Sequence, residues 1–264
     1  MKKIKIIILF SLLCINGFSC ENKVDDLFQK AENQRAKGLH QEAIKTYQKI
    51  ISINEKSEEA RKAYLEIGNV YYHGLRDFNS AKAIYEDFSQ RGRKSEEAFD
   101  AQKKLAEILQ KHLQNPRQAI VEYQQLIKNY EGKKDVSNFQ MEVANCYFSL
   151  NDFYQARIEY QQYIDKFPNG RALPRAFYKI GETYYMENLC NEATQAYQEV
   201  LKRFPIDPFA IRAKFGIANC AEEMGNFDEA KKLYQELLTS YPSEKVVQKK
   251  LANLQSRLKK LPPK

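Results

Sequence analysis

An all-α solenoid of about six helix-turn-helix units is the fold the sequence predicts, on three observations. The first is composition: 264 residues with 43% apolar and 29% charged content carry only 10 Gly and 8 Pro. So little turn punctuation favours long helices over many short strands. The second is a recurring pair in which Ala is followed four residues later by Tyr: Ala43/Tyr47, Ala81/Tyr85, Ala119/Tyr123, Ala156/Tyr160, Ala193/Tyr197 and Ala230/Tyr234, in steps of 38, 38, 37, 37 and 37 residues. Residues four apart share one helix face, so a small residue beside a large ring marks a close helix crossing. The third is Pro168, Pro205 and Pro242, each eight residues after the Tyr of its unit, where proline closes the second helix.

Residues 1–19 read as a secretory leader, with charged Met1–Lys5, apolar Ile6–Ile15 and Asn16-Gly17-Phe18-Ser19 before Cys20. The apolar run is shorter than the ~20 residues a membrane-spanning helix needs. Cleavage after Ser19 starts the mature chain at Cys20, and residues 20–23 form a short tether. A cysteine directly after the cut resembles the bacterial lipoproteins, in which that thiol carries the lipid; ordinary cleavage after Ser19 and an uncleaved anchor stay open. Cys14 is an apolar residue of the leader.

Residues 24–242 hold the repeats. Upstream of four Ala/Tyr pairs lies a second pattern, Phe177-x-x-Ile180-Gly181-x-x-Tyr184 and Tyr64-x-x-Ile67-Gly68-x-x-Tyr71, and in shorter form Val143-Ala144-x-x-Tyr147 and Ile217-Ala218. The small residues Gly68, Ala144, Gly181 and Ala218 let a neighbouring helix approach. With these residues the chain resembles the tetratricopeptide repeat family, although its period exceeds the family's 34 by three or four. The longer period and loops such as Phe167-Pro168-Asn169-Gly170 resemble envelope lipoproteins of the outer-membrane assembly factor D and Tol-associated peptidoglycan coordinator types.

Residues 243–264 form a basic capping helix and tail. Val247, Leu251, Leu254, Leu258 and Leu261 lie on one helix face, and Pro262-Pro263 stops it. Lys245, Lys249, Lys250, Arg257, Lys259 and Lys260 are expected to supply the polar outer surface that a terminal repeat needs. A cap that also touches acidic partners or anionic lipid is the alternative.

The net charge of +8 is not a property of the body: without Lys2, Lys3, Lys5 and the +6 of residues 243–264, residues 6–242 carry −1. That argues against a basic nucleic-acid-binding stripe on the repeats. His40, His73 and His112 are few and sit near turns, and no second ligand pair accompanies His73 and His112, so no metal is expected. Cys190 fills the slot held by Phe78, Phe153 and Phe227. Cys146 and Cys220 share one position two repeats apart, beyond the ~7 Å Cα limit for a disulfide. Cys190 is expected to be a buried substitute for an aromatic, and Cys146 and Cys220 to be small apolar packing residues, with redox chemistry as the alternative for those two. Neither a catalytic Ser/His/Asp set nor a phosphate loop nor HExxH occurs, so the protein is expected to be no enzyme and to need no cofactor or small-molecule substrate.

The family resemblance implies a concave groove lined by the first helix of each unit, with Asn69, Tyr72, Met141, Asn145, Phe148, Tyr178, Glu182, Tyr185, Phe215 and Asn219 as candidate peptide-binding residues. Rings there would bury apolar side chains while amides satisfy a peptide backbone. Alternatively, several of these rings pack between repeats. The Lys/Asn/Arg carboxylate clamp of chaperone adaptors is not matched. The implied role is a lipid-anchored scaffold on the periplasmic face of the outer membrane, binding envelope proteins or extended peptides in β-barrel assembly. A cell-wall or Tol-type regulator binding a peptidoglycan synthase is the alternative.

Overall fold

The structure, a computed structural model, describes residues 23–90, 95–132 and 136–259. The leader 1–19, Cys20, Lys260 and Leu261 lie outside the described residues. Among the described residues the fold is all-helical, a tetratricopeptide-like solenoid whose chain divides into two compact units, Met1–Asn115 and Pro116–Lys264. The first unit holds α1 (residues 23–36), α2 (His40–Ile53), α3 (Glu58–Asn69) running on as a π-helical turn Val70–Leu75, α4 (Phe78–Gln90) and α5 (Glu96–Lys111). The second holds α6 (Pro116–Asn129), α7 (Val136–Ser149), α8 (Phe153–Lys166), α9 (Leu173–Met186), α10 (Cys190–Arg203), α11 (Pro208–Glu223), α12 (Phe227–Leu237) and α13 (Glu244–Leu258). No helix among the described residues is long and apolar enough to cross a membrane.

Helix starts follow from local chemistry. Ser57 and Ser95 accept hydrogen bonds from the backbone N–H groups of Ala60 and Ala98 at 3.0 and 3.2 Å, and Asp152 accepts from Gln155 at 3.1 Å. Each cap satisfies a donor that the first helical turn leaves open. Pro208 opens α11, where a missing N–H costs nothing. Every turn inside a repeat contains one residue with left-handed backbone, five positions before the Ala of its pair: Gly38, Arg76, Gln114, Asn151, Asn188 and Gly225. Gly and Asn suit that conformation, whereas Arg76 and Gln114 hold it under strain.

All six Ala/Tyr pairs are buried to 2% exposure or less. The small residues of the upstream pattern explain how such rings fit. A Cβ placed on Gly68 would sit 2.8 Å from Tyr85, and one on Gly181 or Gly216 would sit 2.5 Å from Tyr197. The Tyr197 ring is thus sandwiched between the backbones of α9 and α11, a contact that no larger residue would permit.

Four of these tyrosines also direct their hydroxyls to one slot on the first helix of their own repeat. Tyr85, Tyr160 and Tyr234 donate to Oδ1 of Asn69, Asn145 and Asn219 at 2.8, 2.8 and 2.7 Å, and Tyr47 donates to Glu32. The sequence separation is 15 in three cases and 16 for Asn69 and Tyr85. The π-helical turn lies between Asn69 and Tyr85 and absorbs the extra residue, which accounts for the first 38-residue step.

The helix α13 covers the last hairpin with buried Val247 and Leu254 and part-buried Leu251 and Leu258. Two of its basic residues do more than supply a polar surface. Part-buried Lys250 and the still exposed Arg257 pair with Glu222 of α11, at 3.1 and 3.0 Å, and Tyr234 donates to the same carboxylate at 2.9 Å. The Glu222 side chain is only 6% exposed, so its charge requires these partners. Lys245, Lys249 and Lys259 are exposed.

Candidate functional site

The first helix of each repeat supplies the candidate binding face. In the amino-terminal unit a polar chain crosses three such helices. Arg35 of α1 donates to Glu66 of α3 at 3.2 Å and to Glu32 of its own helix. Asn69 Nδ2 donates to Glu66 at 3.0 Å, and Lys104 Nζ of α5 donates to Asn69 Oδ1. Burial holds the Lys104 ammonium below the usual lysine range, with neighbouring Glu66, Asp100 and Glu107 opposing that shift. Beyond this chain stands an aromatic cluster. Tyr72 contacts Phe78 and His112 edge-on at 5.8 and 5.6 Å, its hydroxyl lies 3.4 Å from His112 Nε2, and Phe78 stacks on His112 at 3.9 Å.

In the carboxy-terminal unit the equivalent face is drawn from α7, α9 and α11. Asn145 accepts from Tyr160 and donates to Glu142 at 3.2 Å. Phe148 lies under the Lys179 ammonium at 4.6 Å and edge-on to Phe153 at 5.3 Å. Lys179 also pairs with Glu182 at 2.5 Å, and Glu182 accepts from the Tyr178 hydroxyl at 3.0 Å. Burial raises the Tyr178 phenol well above its usual range, helped by the Glu182 charge.

The ten residues expected to line one groove therefore divide into four groups. Met141 is a correction: at 2% exposure it belongs to the core beside Tyr160 and Ala176. Asn69, Asn145 and Asn219 spend their carbonyl oxygens on the buried tyrosines, so those acceptors are not offered to a peptide backbone. Tyr178 packs on Tyr197 and Phe209 at 5.6 and 5.4 Å, and Phe215 stacks on Tyr241 at 4.4 Å; both rings fill joints between helices. Tyr72, Phe148, Glu182 and Tyr185 are part-exposed, as are Tyr178 and Phe215, and Tyr72 and Phe148 also pack on neighbouring rings.

Arg35, Glu66, Lys104, Glu142 and Lys179 were missed, and a periodic signal could have found them. Stepping by the repeat length from Glu66 meets Lys104, Glu142 and Lys179, which alternate in sign. The slot three residues on reads Glu32, Asn69, Glu107, Asn145, Glu182, Asn219, an alternation of acid and amide. Within each unit these positions present charges, amide N–H groups and ring edges, the chemistry of binding. Among the described residues no three His, Cys, Asp or Glu side chains converge as a metal site would require.

Residues 2–174 match the family model of the soluble NSF attachment protein, and residues 175–205 and 212–243 match a tetratricopeptide repeat model. No curated protein matches the chain. Among solved structures, a tetratricopeptide repeat protein from Parabacteroides merdae is 15% identical with a TM-score of 0.61, covering 89% of this chain and 88% of its own. YrrB, described as a TPR protein with an unusual peptide-binding site, is 21% identical at TM-score 0.52, with 74% and 94% covered. PilW, a type IV pilus biogenesis factor, is 14% identical at 0.55, with 86% and 98% covered. These three likenesses speak to the fold alone. The two family matches together run from residue 2 to residue 243: the chain is a tetratricopeptide-repeat protein, and through residues 2–174 it belongs to the soluble NSF attachment protein family.

Proposed function

We propose that this protein is a lipid-anchored scaffold of the bacterial cell envelope whose first-helix faces bind extended segments of partner proteins during assembly of outer-membrane β-barrel proteins. The tetratricopeptide fold is an interaction scaffold suited to protein-protein contact. The observation that carries the reading is the set of part-exposed rings, Tyr72, Phe148 and Tyr185, standing beside fixed charges on those helices. Rings of this kind bury a partner's apolar side chains, while the charges select its sequence. The leader ending at Ser19-Cys20 supports export and anchoring. With so few residues between Cys20 and α1, at ~3.3 to 3.6 Å each, the first repeat would lie within roughly 20 Å of the bilayer. A peptide-binding site in YrrB and a biogenesis role for PilW are in keeping with this reading.

Metabolic labelling with a lipid precursor tests the anchor: label on the wild type and none on Cys20→Ser is expected, and an unlabelled wild type overturns it. Affinity purification from membranes tests the partner. Recovery of the barrel-assembly core supports the proposal; recovery of a peptidoglycan synthase or Tol protein instead replaces it with a cell-wall role.

A further inference from the structure

The first residue of the second helix occupies one slot in each repeat, filled by His40, Phe78, Pro116, Phe153, Cys190 and Phe227 in α2, α4, α6, α8, α10 and α12. At His40 and Phe78 that slot meets the first helix of the following repeat. The His40 ring lies 2.6 Å from where a Cβ on Gly74 would stand, and Phe78 stacks on His112 at 3.9 Å. At position 190 the slot holds a thiol instead of a ring, and what it meets on α11 is another thiol, that of Cys220. Both are free. Cys220 is fully buried while Cys190 is part-exposed at the helix start. The Thr194 hydroxyl, one turn along α10 from Cys190, adjoins the Cys220 sulfur and has no other hydrogen-bond partner among the described residues.

We propose that Cys190 and Cys220 are a reversible disulfide site, reached by a disulfide oxidant through Cys190, that staples the second helix of one repeat to the first helix of the next. The two cysteines stand on packed neighbouring helices and share one cluster, Cys220 within its buried core and Cys190 packed against it from the helix start. Solvent access assigns the order of events. Cys190, as thiolate, attacks one sulfur of the incoming disulfide, forming a mixed disulfide and releasing one thiolate. Cys220, with no exposed surface, is out of reach of the external disulfide and takes part only at this stage. It then gives its proton to the departing thiolate and attacks Cys190 Sγ, breaking the mixed disulfide and releasing the second half of the oxidant as a thiol. Two protein thiols are oxidised, one external disulfide is reduced, and two hydrogens leave the protein. Cys146, buried on α7 within a different part of the core, is the internal control.

The test is to treat the purified full-length protein with oxidised glutathione, block remaining thiols with N-ethylmaleimide and map the peptides by mass spectrometry. A Cys190–Cys220 cross-link, two hydrogens lighter than the reduced pair and reversed by dithiothreitol, is expected, with Cys146 left reduced. The melting temperature should rise by about 5 °C on oxidation. Cys220→Ala should stop at stable glutathione on Cys190, and Cys190→Ala should take up none at either position. Persistent glutathione on wild-type Cys190 without a cross-link, both thiols still free, or a bridge to another cysteine would each overturn the proposal. The wild-type map decides this even if a variant misfolds.

Discussion

Tyr160 has no exposed surface, yet its hydroxyl donates to Asn145 Oδ1 at 2.8 Å, so ring and hydroxyl serve different ends in one residue. The ring fills the crossing of two helices, and the hydroxyl fixes which turn of α7 it meets. Tyr160→Phe keeps the ring and should cost about 0.5 to 1.5 kcal/mol by denaturant titration. A larger loss, above about 3 kcal/mol, would mean that the hydroxyl matters more than its single bond implies. Burial raises the phenols of Tyr47, Tyr85, Tyr160, Tyr197 and Tyr234 far above the usual range. Below the unfolded value of about 10 both states hold the proton and the stabilisation is complete. Above it the unfolded chain releases protons that the folded chain retains, so stability should fall steeply. An alkaline titration followed by tyrosine absorbance and circular dichroism should show ionisation and unfolding together; ionisation of these tyrosines in a chain that stays folded would refute their burial.

At the scale of an element, the six intra-repeat turns are a natural series. Gly or Asn holds the left-handed position in four of them, and Arg76 and Gln114 in two. Exposed Gln114→Gly should relieve strain and stabilise the protein by roughly 0.5 to 1 kcal/mol, read as a higher melting temperature; a destabilised variant would show that the turn is not strained. The helix α13 gives a prediction of opposite kind. Burial alone would raise the Glu222 carboxyl, but hydrogen bonds from Tyr234, Lys250 and Arg257 outweigh it and hold it below the ordinary glutamate range. Its stabilisation is therefore present above the unfolded value of about 4.3 and is lost as pH falls through the lower folded value. Glu222→Gln should cost stability at pH 7, and the cost should shrink as the pH is lowered below about 4.3; a cost that does not change on acidification would deny the charge its role. The existence of α13 and its apolar stripe were legible because leucines at steps of three and four permit one buried face. The pairing of Lys250 and Arg257 with Glu222 was not, because that carboxylate, on α11, lies about thirty residues away in sequence. The repeats were legible for the same reason as the stripe: Ala and Tyr recur where sterics allow nothing else. The roles of Asn69, Asn145 and Asn219 were obscured because groove and core differ by one helical step, and only the tyrosine hydroxyls decide between them.

For the molecule as a whole, repeats share their packing surfaces, so damage should spread by neighbourhood. Ala193→Leu should overpack the α9, α10 and α11 contact at a cost of about 1 to 3 kcal/mol, with hydrogen exchange rising first in those helices. Uniform exchange across the whole chain would refute that. Tyr185→Ala, by contrast, removes a part-exposed ring and should weaken partner capture far more than it lowers the melting temperature. If instead it destabilises strongly, Tyr185 belongs with Tyr178 and Phe215 as a joint between repeats. The sandwich of Tyr197 between Gly181 and Gly216 carries a consequence for how this sequence can change. The three positions form one unit of inheritance, since a Cβ on either glycine forces the ring to move and the ring cannot move while the other glycine's backbone stands behind it. A selection for revertants of Gly181→Ala should therefore return second-site suppressors at position 197, smaller than tyrosine, more often than at any surface position. Those suppressors should in turn tolerate alanine at 216, which the wild type should not.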